Sequence, residues 1–179
     1  MKLDSDLQAI QEVRHFLQEA KAAQKQLEKM TQSQIDVIVT AMAQAAESEA
    51  ERLGVMAVEE TGFGKVADKK AKNLFVARDV YSAIKDMQTV GIIRKDDVKQ
   101  VWEIAQPVGI VAAIIPSTNP TSTVLFKCMI SLKSKNAIVI SPHPSALRCS
   151  QESAAVMRAA AEKAGAPPWA DSLSIGSVP

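Results

Sequence analysis

One stretch, Val108-Gly109-Ile110-Val111-Ala112-Ala113-Ile114-Ile115, constrains this 179-residue chain more than any other. It is apolar at odd and even positions alike, so whichever face is turned inward the other also needs cover, as in a strand inside a parallel sheet. Pro116 ends it, and Pro120 suits the first turn of a helix reaching about Lys133, with Thr118 or Asn119 as its cap and Val124, Leu125, Cys128 and Leu132 facing inward. Ala137-Ile138-Val139-Ile140 is a second short apolar run, and a further helix from about Ser145 to Lys163 stops at Gly165, where Pro167-Pro168 forbid continuation. The result is a β-α-β-α unit. Two parallel strands do not make a stable sheet, so the sheet is expected to be incomplete, and the tail from Ser172 to Pro179 reads as a chain interrupted in mid-element.

Upstream, the pattern is helical. Leu7, Ile10, Val13 and Leu17 trace one narrow-faced amphipathic helix within residues 1–30, which needs a surface to lie on. Thr31-Gln32-Ser33-Gln34 has the form of a capping box, followed by Ile35, Ile38, Met42 and Ala45 at helical spacing. Gly62 and Gly64 interrupt this helix, and Leu74, Ala77, Tyr81 and Ile84 mark the buried stripe of a third. Gly91–Arg94 and Val101–Ile104 read as two short strands joined through Lys95-Asp96-Asp97. The chain therefore divides into an N-terminal helix over 1–30 and an α/β unit over 31–179, with a hairpin-like excursion at about 91–105.

Charge and composition exclude several functions. Twenty-one Lys and Arg against 20 Asp and Glu leave no net field for a nucleic acid or an anionic membrane, and 4% aromatic residues supply no stacking platform. The first thirty residues lack an apolar core of the signal-peptide kind, and no run approaches eighteen apolar residues, so a cytoplasmic protein without a membrane partner is expected. Two cysteines and two histidines, none at ligand spacing, signal no metal site. Cys128 and Cys149 both read as small buried hydrophobes rather than nucleophiles, since neither has a base at readable spacing.

Ligands of open parallel sheets bind beyond the carboxyl ends of the strands, which here are Pro116-Ser117-Thr118-Asn119-Pro120 and Ser141-Pro142-His143-Pro144. A helix N-terminus at Pro120 brings N–H donors to that place, and Asn119 adds a neutral amide of the kind that stabilises a developing oxyanion. Asn119 also fits a plain helix cap, and His143 a structural loop residue between two prolines. Gly62 and Gly64 form no GxGxxG and read as a chain reversal.

The strings Glu59-Glu60-Thr61-Gly62-Phe63-Gly64, Asp68-Lys69, Lys72-Asn73, Ala105-Gln106-Pro107-Val108-Gly109-Ile110, Ile115-Pro116-Ser117-Thr118-Asn119-Pro120-Thr121-Ser122-Thr123, Lys135-Asn136-Ala137 and Ser141-Pro142-His143-Pro144 occur in that order. Together they resemble the CoA-acylating aldehyde dehydrogenases, including the aldehyde dehydrogenase half of bifunctional aldehyde-alcohol dehydrogenases, over about residues 25–168. The resemblance implies the first β-α-β-α units of a Rossmann-like cofactor domain behind N-terminal helices. It implies NAD as cofactor, coenzyme A as co-substrate, a short-chain aldehyde or acyl-CoA as substrate, and a homo-oligomeric enzyme. It assigns Asn119 to the oxyanion, and Ile114, Ile115, Pro116, Ser117 and Thr118 with Ser141, Pro142 and His143 to the dinucleotide or CoA.

In members of this family the nucleophilic cysteine and the catalytic domain lie downstream of the position matching Pro179, so a fragment inactive by itself is expected. Two other readings compete. In one, residues 3–30 dock a non-catalytic module on a partner; in the other, the parent is a hydrolytic aldehyde dehydrogenase, disfavoured because a lysine commonly stands there at the position matching His143.

Overall fold

The computed structural model describes residues 5–168 and 171–173, with side chains over 7–168. Helices α1 (Ser5–Leu27), α2 (Gln32–Ser48), α3 (Ala50–Thr61) and α4 (Val66–Phe75) come first; a π-helical turn, Val76–Val80, then leads into the short α5 (Tyr81–Ile84). Strands β1 (Gly91–Asp96) and β2 (Val101–Ala105) form an antiparallel hairpin. After it come β3 (Ile110–Ile115), α6 (Pro120–Lys133), β4 (Ala137–Pro142), a 3₁₀ turn at Pro144–Ala146, α7 (Leu147–Lys163) and β5 (Asp171–Leu173).

The β-α-β-α unit is present, and the sheet gains a third strand: β3, β4 and β5 are all parallel, with β4 in the centre. The tail therefore includes a paired strand at Asp171–Leu173, while Ser174–Pro179, the rest of the segment read as an interrupted element, lies outside the described residues. Strand β3 begins at Ile110, not Val108. Val108 is 83% exposed, and Gly109 takes φ +114°, a conformation that costs glycine nothing and a side chain much. The turn is fastened by Asn136, whose Oδ1 accepts the Gly109 N–H at 2.9 Å, and by the Ala137 N–H donating to the Gly109 carbonyl at 3.0 Å.

The two faces of the sheet are covered unequally. Ala113, Ile115, Ile138 and Ile140 pack into a core shared with α2, α6 and α7, including Met42, Leu125, Met129, Leu132 and Met157. On the opposite face Ile110, Ala137 and Val139 meet Phe16 and Ala20 of α1. Helix α1 thus lies on the chain's own sheet. It does so through Phe16 and Ala20, while Ala23 and Leu27 join the larger core, and the expected stripe Leu7, Ile10, Val13 and Leu17 is exposed. The periodicity was right and the face wrong, because a small alanine, Ala20, lets the helix approach the sheet more closely than a leucine does. Beyond the reach of α1, Ala112 and Ile114 stay exposed, so β3 is covered on one face only at its carboxyl end.

Thr31 and Gln34 form the capping box at the start of α2. The helix expected to run on to Gly62 breaks at Glu49 (φ −96°, ψ 2°), and α3 closes at Gly62 in the left-handed region. Lys133, in the last turn of α6, is 3% exposed; its ammonium donates to Asp36 Oδ1 at 2.6 Å and to the Lys85 carbonyl at 2.8 Å. This pair ties α6 to α2 and to the chain leaving α5.

No helix among the described residues is long and apolar enough to cross a membrane.

Candidate functional site

The register of β3 on β4 sets Ile114 opposite Ser141 and Ile115 opposite Pro142, and the His143 N–H donates to the Ile115 carbonyl at 3.0 Å. The two loops at the strand ends are therefore one rim. Alternation divides the candidate residues between its two sides. Ile114 (77% exposed) and Ser141 lie on the side of the sheet that carries α1, with His143 exposed just beyond. Ile115, 1% exposed, and Pro142 are buried, and the Ile115 carbonyl is taken by the His143 N–H, so these two expected binding residues support the rim from within and are not open to a ligand. Pro116 and Thr118 are exposed and Ser117 is half-buried along the crossing. Asn119 opens α6, on the other side.

Asn119 does not cap its helix. It precedes α6 with φ −141° and ψ 60°, and its side chain makes no capping bond. Its carbonyl accepts the Thr123 N–H at 3.3 Å and the Thr123 hydroxyl at 2.6 Å, which fixes the backbone. Its Oδ1 accepts instead from the Lys72 ammonium of α4 at 2.8 Å, and the neighbouring Thr118 carbonyl accepts from Lys69. Lys69 and Lys72 lie three residues apart on one face of α4. Burial, and then the charge of Lys72, pulls the Lys69 ammonium below its ordinary pKa. Helix α4 is anchored by the buried Asn73, whose Nδ2 donates to the Ala50 carbonyl at 2.9 Å and whose Oδ1 accepts the Thr121 hydroxyl at 2.9 Å.

Lys69, Lys72 and Asn73 stand in recognisable strings that give them no role. Their spacing along one helix was the available signal; the target, nearly fifty residues away, was not. Lys72 and Asn119 also border a groove of about 330 Å³ walled by Phe75, Val76, Val80 and Phe126. An amide beside an ammonium, next to a small apolar recess, can receive a carbonyl carrying a short hydrocarbon substituent.

His143 is held locally. Its Nδ1 accepts the Ser145 N–H at 3.2 Å and lies 2.6 Å from the Ser145 hydroxyl, which leaves Nε2 as the ring atom facing outward. Neither cysteine is suited to nucleophilic attack. Cys128 is fully buried in the core, and burial, then the adjacent Glu60, pushes the Cys149 thiol up to about 12.

Glu60, a residue to which sequence reasoning gave no role, reaches across from α3 to the start of α7, where Oε1 and Oε2 accept the N–H groups of Arg148 and Cys149 at 2.7 Å each. Burial opposes its ionisation, but these two donors outweigh it and hold the carboxyl below its ordinary pKa. A depressed folded-state value stabilises the fold above the ordinary glutamate pKa, and that contribution disappears as the pH falls through the depressed one. Glu60→Gln should cost about 1 kcal/mol near neutral pH, the scale of a lost helix cap, and almost nothing in strong acid. Urea unfolding across that range measures the convergence.

The profile of the aldehyde dehydrogenase family matches residues 6–176. This chain belongs to that family. The bifunctional aldehyde-alcohol dehydrogenase AdhE of Escherichia coli K12 is 42% identical over 170 residues, a match that takes in 93% of this chain and 19% of AdhE. An acetylating aldehyde dehydrogenase from Geobacillus thermoglucosidasius has the same fold at TM-score 0.93 and 67% identity, covering 96% of this chain and 38% of that one. A propionaldehyde dehydrogenase of Rhodopseudomonas palustris with bound propionyl-CoA matches at TM-score 0.75 and 26% identity, covering 89% of this chain and 35% of that one. This member of the aldehyde dehydrogenase family thus spans from 19% to 38% of the length of these relatives. The Rossmann-like α/β assignment and the likeness to acetylating dehydrogenases both stand.

Proposed function

We propose that this chain supplies the oxyanion donor and part of the nucleotide pocket of a CoA-acylating, NAD-dependent aldehyde dehydrogenase acting on short-chain aldehydes. The observation that carries the reading is the Asn119 side chain, released from helix capping and held by Lys72 at the mouth of the small apolar groove. In this reaction an enzyme thiolate adds to the aldehyde carbon, the carbonyl oxygen becomes an oxyanion, and the resulting thioester passes to CoA. NAD supplies the hydride acceptor. Asn119 Nδ2 donates to the oxyanion, beside the N-terminus of α6, where N–H groups and the helix dipole favour negative charge.

The rim fits a nicotinamide nucleotide. The exposed Ile114 offers an apolar shelf to a flat ring, while Ser141 and the outward Nε2 of His143 stand one strand away as polar partners for sugar or phosphate oxygens. The kinship to acetylating enzymes, together with His143 in place of a lysine, favours transfer to CoA over hydrolysis. The test is NADH formation from acetaldehyde and NAD by the enzyme carrying this chain, with and without CoA. Acyl-CoA as product supports the reading; acid formed at the same rate without CoA contradicts it.

The homo-oligomer belongs to the same proposal. The hairpin β1–β2 is exposed on nearly every residue, with Trp102 56% exposed beside Ile92, Ile93, Val101 and Ile104. A two-stranded ribbon of this kind is marginal alone and presents free edges. Arg94, Lys95 and Lys99 balance Asp96, Asp97 and Glu103, so a second copy of the hairpin is a charge-compatible cover. Ile92→Lys with Ile104→Lys should yield a monomer by light scattering after gel filtration; an unchanged mass contradicts the assignment.

A further inference from the structure

We propose that Lys72 is a positioning residue for Asn119, selecting which end of the amide meets the reacting carbonyl and strengthening it as a donor. This rests on the oxyanion reading of Asn119. An ammonium carries donors only, so it faces the oxygen of the amide and turns Nδ2 the other way. The 2.8 Å contact to Oδ1 therefore fixes the flip of Asn119 by chemistry, in a side chain that no helix cap restrains. A positive charge on the oxygen also draws density from the nitrogen, which makes its N–H groups better donors to an anion. The base of the lever is rigid: Asn73, the next residue on α4, is fully buried and bonded to both α3 and α6, and Lys69 holds the Thr118 carbonyl from the same helix face. Backbone and side chain at the oxyanion site are thus both set by α4, and Lys72 acts there through the oxygen of Asn119.

The test uses the enzyme carrying this chain, with Lys72→Met, Lys72→Arg, Asn119→Ala and the Lys72→Met/Asn119→Ala double variant. Lys72 is exposed, so its replacement leaves the core intact, and unchanged thermal unfolding of each variant verifies this. Lys72→Met should lower kcat roughly tenfold, less than the loss of an oxyanion donor itself, with KM for aldehyde and binding of NAD and CoA unchanged. Lys72→Arg should recover most of the loss. In the Asn119→Ala background Lys72→Met should cost nothing more, since the group it orients is gone. Full kcat in Lys72→Met beside a collapsed Asn119→Ala overturns the proposal and leaves the oxyanion reading standing. Equal losses in both backgrounds also overturn it, because Lys72 then acts without Asn119. Wild-type kcat in Asn119→Ala defeats the oxyanion reading and the proposal with it.

Discussion

Asn119→Ala lowers kcat of the enzyme carrying this chain by about 10²–10³-fold while KM for the aldehyde changes little, the pattern of a donor whose bond strengthens only as negative charge develops. The expectation follows from what the structure denies Asn119 as much as from what it grants. A capping asparagine would spend its oxygen on the N–H groups of α6, and its replacement would cost stability rather than rate. Here the cap bond is missing, Thr123 holds the backbone, and Oδ1 is engaged by Lys72. Replacement should therefore leave thermal unfolding close to wild type. Asn119→Asp is the informative companion: it keeps the shape and the Lys72 contact but sets a negative charge against the oxyanion, and should be at least as damaging. Steady-state kinetics with acetaldehyde, read alongside the melting temperature, separate a lost donor from a lost cap.

The second large effect concerns the buried ammonium of Lys133 and is an asymmetry. Asp36→Ala strands Lys133, at 3% exposure, with only the Lys85 carbonyl for company, and should destabilise the fold by about 3 kcal/mol, toward the scale of removing one partner from a buried pair. Lys133→Met, by contrast, replaces the charge with an apolar chain of similar length and leaves Asp36, partly open to water, able to resolvate. It should cost less than half as much, chiefly through the orphaned Lys85 carbonyl. Guanidinium unfolding of the two variants compares them directly; equal losses would mean that the ion pair, rather than the desolvation of Lys133, sets the energy.

How much of this was legible follows from what each element depends on. Strands β3 and β4, the proline-led helix between them and the capping box at Thr31 depend on local pattern, and each stands where the residues suggest except that β3 starts at Ile110, two residues late. The strand ends came together as a rim because parallel connectivity leaves little choice. What the residues did not disclose is long-range. Which face of α1 meets the sheet depends on how closely Ala20 approaches it, and the fully apolar run of β3 gives no warning that Ala112 and Ile114 remain uncovered.

The recognisable strings also divided in a way that spacing could not foretell. Lys135-Asn136-Ala137 and Gly109 meet at the opposite end of the strands, where Asn136 fastens the entry to β3, and Glu60 caps a helix. Lys72 reaches Asn119 itself, while Lys69 and Asn73 hold its neighbours Thr118 and Thr121. Ile115 and Pro142, expected at the nucleotide pocket from their strings, are buried.

If these residues serve as the oxyanion and nucleotide rim of an acylating dehydrogenase, they should do so inside a related enzyme. The most direct measurement grafts residues 6–168 into the Geobacillus thermoglucosidasius acetylating aldehyde dehydrogenase in place of its matching segment, to which the chain is 67% identical. The hybrid should convert acetaldehyde, NAD and CoA into acetyl-CoA and NADH, and Asn119→Ala within the graft should abolish most of that turnover. A folded hybrid that turns over equally well with alanine at position 119, or that releases acetate without CoA, would contradict the account.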